Sequence, residues 1–335
     1  MKQTTVWLNT HFNCIQPIRD ADTAGQFRIV TSYHSRKYAD VILADLFELE
    51  PKLADHEYVD YALDFVKRHQ VDIILPGRKM ELFAGRVDEF TALGVKVILA
   101  GDAETLAMLD NKGRFYDALG CDLLPVPSYK VAGNAKSFMS GVAALQVDHP
   151  VVCFKPTVGI FGYGFKILAT EGNRPALEGI DPQLLTELSP ALFALGENRN
   201  FKEQLVMEYL PGEERSVDCL AHEGKLVRCV VRSKLADGSR VLEHNPLMEE
   251  YTRRLIEKLN LNGLFNVQFK DKDGVPFILE INARMSGGIA MSCLSGVCLP
   301  YWALRLAMGT ATDADIPHGK TGLRVMELTH AVVLP

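Results

Sequence analysis

Two segments near the carboxyl end of the chain constrain its fold more than any other. Gly263-Leu264-Phe265-Asn266-Val267-Gln268-Phe269-Lys270 alternates with a period of two, so Asn266, Gln268 and Lys270 share one face of a strand. Phe277-Ile278-Leu279-Glu280-Ile281-Asn282-Ala283-Arg284 reads as a second strand. Its apolar face carries Phe277, Leu279 and Ile281, while Glu280 and Asn282 leave together from the other. A three-residue Lys272-Asp273-Gly274 loop pairs Gln268 with Ile278 and Asn266 with Glu280, with Gly274 left-handed beside a bulge. A two-residue turn would set Gln268 against Leu279, on the wrong side, so the longer loop is expected. Amide and carboxylate oxygens on a common surface, with an arginine just beyond, suit hard cations and phosphate oxygens.

At 335 residues the chain has room for two or three domains with their own cores. A net charge of −6 without a long basic run argues against nucleic acid as a partner. No apolar run reaches membrane-spanning length and no secretory apolar segment opens the chain, so a cytoplasmic protein without a membrane partner is expected. The seven cysteines lack paired metal-ligand spacing and read as buried or incidental thiols.

The first hundred residues alternate strand-like and helix-like segments. Thr5–Leu8, Arg28–Thr31, Val41–Leu43, Val71–Leu75 and Val95–Leu99 are strand candidates. Asp55–Gln70 and Met80–Leu93 are helical, which together predicts a mostly parallel α/β layer. No G-x-G-x-x-G follows the first strand, so a Rossmann cofactor is not expected. Gly77, Arg78 and Lys79 after the Ile73 strand read either as a substrate contact or as a solvated loop. A single helix is predicted from Asp102 to Leu119, and the prolines of Leu123–Pro127 open a new unit. Further strands are expected at Val151–Pro156, Phe165–Leu168, Gln204–Tyr209, Arg215–Ala221 and Lys225–Arg232, with a turn at Glu223-Gly224. Met248–Leu259 is helical.

Lys155 closes an apolar strand before a glycine-rich segment holding Gly159, Gly162 and Gly164. Such backbone can fold over phosphates, although an ordinary hairpin explains it equally. Lys112 and Arg114 offer a second anion site or a plain surface helix. Glu208-Tyr209-Leu210 leaves a strand into a bend whose backbone can read a purine edge. Glu214, with Ser216 and Asp218 on the same strand face, can accept from ribose hydroxyls. Arg232 and Arg284 can stabilise charge in phosphoryl transfer. Each is also a candidate structural ion pair. Asn245, beside Pro246, is a weaker catalytic candidate, and His244 reads as an acid–base group or a surface histidine.

In this order, Asn111-Lys112, Phe154-Lys155-Pro156, the glycine loop, Met207 to Asp218 and Leu279 to Arg284 resemble the ATP-grasp superfamily, in its carboxylate–amine ligase-like branch. The resemblance covers roughly Asp102 to Gly319. It implies an amino-terminal parallel α/β domain at 1–105 and a two-lobed α+β ATP-grasp domain at 106–322, its small lobe at about 125–210. A strand or tail at 323–335 completes the chain.

The resemblance also implies that the two lobes hold ATP between them. Lys112 and Lys155 would contact phosphates, with the glycine loop closing over them. Glu208 and the backbone at Leu210 would read adenine, with Tyr209 in the same nucleotide-binding segment, and Glu214 would bind ribose. Glu280 would bridge two magnesium ions (manganese as a substitute), with Gln268 and Asn282 at neighbouring metal or phosphate positions. Many relatives carry an acidic residue where Gln268 stands, which puts two fully occupied metal sites in doubt. Arg284 would hold the transferred phosphate, with Arg232 and Asn245 as further catalytic candidates. The implied reaction converts a small carboxylic acid to an acyl phosphate, which an amine or another nucleophile then attacks. A carbamoyl-phosphate-synthase-like component, a peptide-modifying ligase and a non-catalytic ATP-binding regulator are the alternatives. A homodimer is compatible with each.

Overall fold

The computed structural model describes residues 3–35, 38–120, 122–159, 162–197 and 201–328. Among these residues the strands form three sheets. The first is wholly parallel, with β1 (Thr4–Leu8), β2 (Phe27–Tyr33), β3 (Leu46–Leu49), β4 (Ile73–Leu75) and β5 (Lys96–Val97) in the order β3-β2-β1-β4-β5. The second comprises β6 (Tyr129–Ala132), β7 (Val152–Pro156), β8 (Lys166–Leu168), β9 (Leu185–Thr186) and β10 (Gln204–Glu208), in the order β6-β10-β7-β8-β9. The third has six strands: β11 (Glu214–His222), β12 (Lys225–Lys234), β13 (Arg240–Glu243), β14 (Gly263–Lys272), β15 (Val275–Asn282) and β16 (Leu323–Val325). Their order is β15-β14-β11-β12-β13-β16. A parallel α/β layer followed by mixed sheets is the fold class expected from the sequence.

Two compact units divide the chain. The first comprises Met1–Ala107, Glu214–Gln268 and Ile281–Pro335; the second comprises Met108–Glu213 and Phe269–Glu280.

In the first unit the parallel sheet is covered on both faces, as alternation along β1 requires. Val6 and Leu8 point into a core shared with Ile15, Ile18, Leu299 and Leu304. Trp7 points the other way, among Tyr58, Ala62, Phe65 and Phe83, and stacks on Phe65 at 4.4 Å. The Asp55–His69 helix supplies that second layer and stops where Gln70 turns left-handed, at φ 53°. In the second unit, Phe138 and Val142 from the Ala135–Gln146 helix pack on Val152, Phe154 and Val206.

Four expectations need correction. Val41–Leu43 is not a strand; it lies in a 3-10 turn over Ala39–Leu43, and the edge strand is Leu46–Leu49. The run is too short for its apolar residues to distinguish the two conformations. Met80–Leu93 is two short helices, Met80–Gly85 and Val87–Ala92, parted at Arg86, whose φ of −132° is not helical. Asp102–Leu119 is likewise broken: Ala103–Asp110 and Lys112–Leu119 meet at Asn111, which adopts extended dihedrals. The β14–β15 connection is the two-residue turn Asp273-Gly274, not the three-residue loop, with φ of 52° and 79°. Two successive positive φ values match the twist of a hairpin, and Glu223-Gly224, correctly read as a turn, has the same signature at 50° and 71°.

Burial along β15 also differs from simple alternation. Ile278 and Ile281 are buried, whereas Phe277 and Leu279 are only half-buried. Ile278 donates its N–H to Pro125, and Tyr116 Oη donates to the Leu279 carbonyl at 2.9 Å. Side contacts along this edge strand thus override the period of two.

Candidate functional site

The break at Asn111 aims the first functional group of the second unit. Asn111 Oδ1 accepts from the Arg114 N–H at 3.1 Å, capping the helix that starts at Lys112. The Lys112 N–H donates to the Thr157 carbonyl at 2.9 Å, and Asn111 bridges Val158. The helix start is thereby stitched to the glycine-rich segment. Lys112 is buried, and its Nζ donates to the Gly159 carbonyl at 2.9 Å while standing 3.2 Å from the Glu280 carboxylate. Gly162 and Gly164 have φ of 65° and 77°, which only glycine adopts cheaply. Ile160 and Phe161 of the same segment lie outside the described residues.

Lys155 stands on β7, paired with Leu205 of β10. Burial lowers its ammonium pKa; the Glu280 carboxylate opposes that shift and the neighbouring Lys112 charge adds to it. Two lysines and one carboxylate therefore share a low-dielectric locus. Its surplus positive charge suits a polyphosphate.

Farther along the same unit, Glu208 ends β10 with its carboxylate committed to the fold. Oε1 accepts from the Ser128 N–H at 2.8 Å, while Oε2 pairs with Lys272 and lies 3.3 Å from His149 Nδ1. Tyr209 lies under the Lys270 ammonium at 5.4 Å, and Leu210 is buried. Gly212 leaves no room for a side chain, since a Cβ there would stand 2.4 Å from the Asp271 carbonyl.

The first unit holds a second polar cluster, around Arg232 on β12. Its Nε donates to Asp218 Oδ2 at 3.0 Å and to Ser292 Oγ at 2.9 Å. Nη2 donates to Ser216 and Ser286 at 3.1 and 2.8 Å. Asn266 Nδ2 closes the ring onto Asp218 Oδ1 at 2.9 Å. Among the described residues, buried Asn266 Oδ1 accepts no hydrogen bond. The shared faces read along β11 and β14 thus meet, but in a buried network. The sequence places Asp218 and Asn266 on polar strand faces and assigns neither a role.

Arg284 follows β15, and its Nη1 donates to the Met285 carbonyl at 3.3 Å. Gln268 and Asn282 are half-buried, and Glu214 faces Lys234 at 3.5 Å. Asn245 caps the Pro246–Leu259 helix, accepting from the Met248 N–H at 3.2 Å, which accounts for the residue without chemistry. His244 is exposed, 3.6 Å from Glu249.

His11 carries no functional signal in the sequence. Its ring lies against Gly77, where a Cβ would stand 2.2 Å from it, and feels the charges of Arg284 and Asp218. Burial first, then Arg284, lowers its pKa to about 4, so the imidazole is neutral near pH 7. A lone histidine in Asn9-Thr10-His11-Phe12-Asn13 gives no spacing signal.

Among the described residues no group of three His, Cys, Asp or Glu side chains could hold a metal. The expected donors are one carboxylate, Glu280, and two amides, Gln268 and Asn282. Each offers oxygen, the donor that magnesium takes, Glu280 from the second unit and the two amides from the first. No helix among the described residues is long and apolar enough to cross a membrane.

Comparison with known proteins agrees with this architecture. The family described as ATP-grasp in the biosynthetic pathway with Ter operon matches residues 200–331. N5-carboxyaminoimidazole synthetase from Staphylococcus aureus in complex with ADP superposes with a TM-score of 0.70 at 12% identity, over 97% of this chain and 82% of that one. L-amino acid ligase from Bacillus licheniformis gives 0.64 at 13% identity, over 94% and 76%. The arginine-specific carbamoyl phosphate synthase large chain of Geobacillus stearothermophilus is 23% identical over 303 residues, 86% of this chain. The chain spans only about a quarter (26%) of that relative's length. The solved structures share the fold of this chain, and the family model over residues 200–331 accords with the resemblance to the ATP-grasp superfamily read from the sequence.

Proposed function

We propose that the protein is an ATP-dependent, ADP-forming ligase that activates a small carboxylic acid as an acyl phosphate for attack by an amine or another nucleophile. The observation that carries this reading is the placement of Lys112, which joins the Gly159 carbonyl to the Glu280 carboxylate beside Lys155. Lysines at this locus would neutralise phosphate oxygens, and the backbone at Gly159, Gly162 and Gly164 would cover them. Glu280 would hold magnesium, and Asn282 keeps the metal or phosphate role that the resemblance implies; the two-residue turn removes the strand-parity argument for Gln268, whose role rests on the resemblance alone. Bound magnesium would neutralise charge on the phosphates during transfer.

In the reaction a carboxylate oxygen attacks the γ-phosphorus, the bond to the β-phosphate oxygen breaks, and ADP leaves. The nucleophile then attacks the acyl carbon, phosphate departs, and the amine's proton passes to solvent or a base. Arg284 would hold the phosphate being transferred. Arg232, locked among hydroxyls and Asp218, is better suited to hold the 286–292 segment in place than to meet substrate. Tyr209 and Leu210 keep the adenine role, Glu214 the ribose role, and Glu208 acts by fixing their strand. Domains at 1–105, 106–322 and 323–335 remain our division of the chain by the family resemblance.

A carbamoyl-phosphate-synthase-like component is the second reading, favoured by the Geobacillus relative. ADP release, measured across a panel of carboxylic acids including bicarbonate, each with and without amines, tests both. Release that depends on an organic acid supports the ligase. Release with bicarbonate alone supports the second reading, and release with neither removes both.

A further inference from the structure

We propose that a cavity along the open edge of the parallel sheet binds a small uncharged heterocycle, in a site separate from the nucleotide residues and independent of the ligase reading.

The cavity measures about 420 Å³, within the range of small-molecule sites. Among the described residues four segments line it: β5 with its continuation to Asp102, the end of β11, the linker 260–263 and the end of the Leu299–Ala307 helix. All four belong to the first unit. His222 closes β11 about 26 Å along the strand from Glu214, the residue given to ribose. The cavity therefore lies at the other end of that strand from the proposed nucleotide contacts.

Its floor is apolar, built from the buried side chains of Leu220, Ala303 and Leu306. One wall is the sheet edge. β5 is the last strand in the order β3-β2-β1-β4-β5, and its neighbour is β4. The Lys96 and Ile98 N–H groups donate to the Asp72 and Ile74 carbonyls, each at 3.0 Å. Alternation then turns the N–H and C=O of Val97 the other way, onto the open edge. Neither has a backbone partner among the described residues. A donor and an acceptor side by side on one residue match an amidine-type ring edge, where an acceptor nitrogen adjoins an amino group.

The rim adds neutral polar groups. Among the described residues the side chains of His222, Asn260 and Asn262 form no hydrogen bond. The charged residues beside them are already committed. Lys96 Nζ donates to the Ala307 carbonyl at the helix end, and Asp102 Oδ1 accepts from the Thr105 N–H at 2.8 Å. What is left for a ligand is neutral donors and acceptors over an apolar floor. That combination selects a hydrogen-bonding ring over an ion.

The linker holds the cavity in shape. The Asn262 N–H donates to the Ala100 carbonyl at 3.0 Å. Gly263, at φ 59°, lies so close to the continuation of β5 that a Cβ would stand 2.9 Å from the Leu99 carbonyl. Walls fixed in this way spare a ligand the cost of ordering them.

The test uses the full chain labelled with 15N-valine, with Val97→Ile assigning the Val97 amide signal. 2-Aminopyrimidine and pyrimidine, which share a ring but not the amino donor, are titrated separately. The Val97 amide should shift saturably with 2-aminopyrimidine in the millimolar range. Pyrimidine should bind about tenfold more weakly, for want of a donor to the Val97 carbonyl. Ala303→Leu, which fills the floor, should abolish the shift. An unmoved Val97 signal, equal affinity for the two rings, or an undiminished response in folded Ala303→Leu overturns the site. The comparison of rings on the unaltered chain decides the case even where that variant fails to fold. Addition of ADP and magnesium should leave the Val97 shift in place; its loss would move the ring to the nucleotide residues and overturn the separate site.

Discussion

Arg232 and Asp218 form a buried ion pair, Nε to Oδ2 at 3.0 Å, with side chains only 5% and 1% exposed. Ser292 Oγ reaches both, donating to Asp218 at 2.5 Å and accepting from Arg232 at 2.9 Å. Truncating one partner strands a charge in a low-dielectric interior. Asp218→Ala should therefore lower unfolding free energy by about 3–5 kcal/mol. Urea denaturation checks this, and a loss below about 1 kcal/mol would mean the pair is not a strut.

The same arginine dictates its neighbour. A Cβ at position 288 would stand 2.3 Å from Arg232 Nη1, on a side chain already held by four hydrogen bonds. Gly288→Ala should cost about 1–3 kcal/mol by overpacking. Gly287→Ala, where nothing lies within 4 Å of the added Cβ, should be far milder. Melting temperatures of the two variants side by side give the comparison.

Lys155 carries a pKa lowered mainly by burial. Lys155→Met should weaken ADP binding by on the order of tenfold to a hundredfold. In the wild type the ammonium loses its proton at a lower pH than an ordinary lysine. ADP affinity should thus start to fall at correspondingly lower pH, and calorimetry across alkaline pH reads both effects. Bound phosphate would counter part of the shift, so the variant comparison is the stricter check.

His11 couples folding to pH in a defined direction. Its folded pKa, about 4, lies below the usual 6.5, because of burial and Arg284, with Asp218 opposing. Between those values the unfolded chain binds a proton that the folded chain does not. The His11 contribution to stability is therefore intact above about pH 6.5 and is lost progressively as pH falls towards 4. His11→Gln should flatten the unfolding-free-energy profile in that window. An unchanged slope would mean that the imidazole is protonated in the fold.

Glu280→Gln should reduce magnesium-dependent ADP release by about a hundredfold or more while leaving the fold intact. Circular dichroism and turnover measured on one preparation separate the two, and turnover near the wild-type rate would remove Glu280 from the metal role.

Much of this architecture is legible in the residues. Strands β7, β11, β12 and β14 announce themselves through apolar runs or alternation, and Glu223-Gly224 through turn chemistry. Lys155 and Glu280 could be named because a strand fixes where they point. What escaped depends on contacts distant in sequence. Asn111 sits in a helical pattern, and only its bridge to Val158 and the Lys112–Thr157 hydrogen bond make the break worthwhile. At the β14–β15 turn polar parity argues for three residues, whereas the Asp-Gly pair by itself favours the two that form it. His11 acquires its character only from Gly77, Arg284 and Asp218, which arrive from three other places in the chain.

The most direct test follows oxygen. Acids that elicit ADP release are supplied with 18O in the carboxylate, and the phosphate formed after addition of the nucleophile is analysed by mass spectrometry. Acyl phosphate formation predicts one 18O atom transferred to each phosphate released. Unlabelled phosphate formed alongside ADP would mean that water, not the carboxylate, takes the γ-phosphoryl group, and would contradict the proposed chemistry.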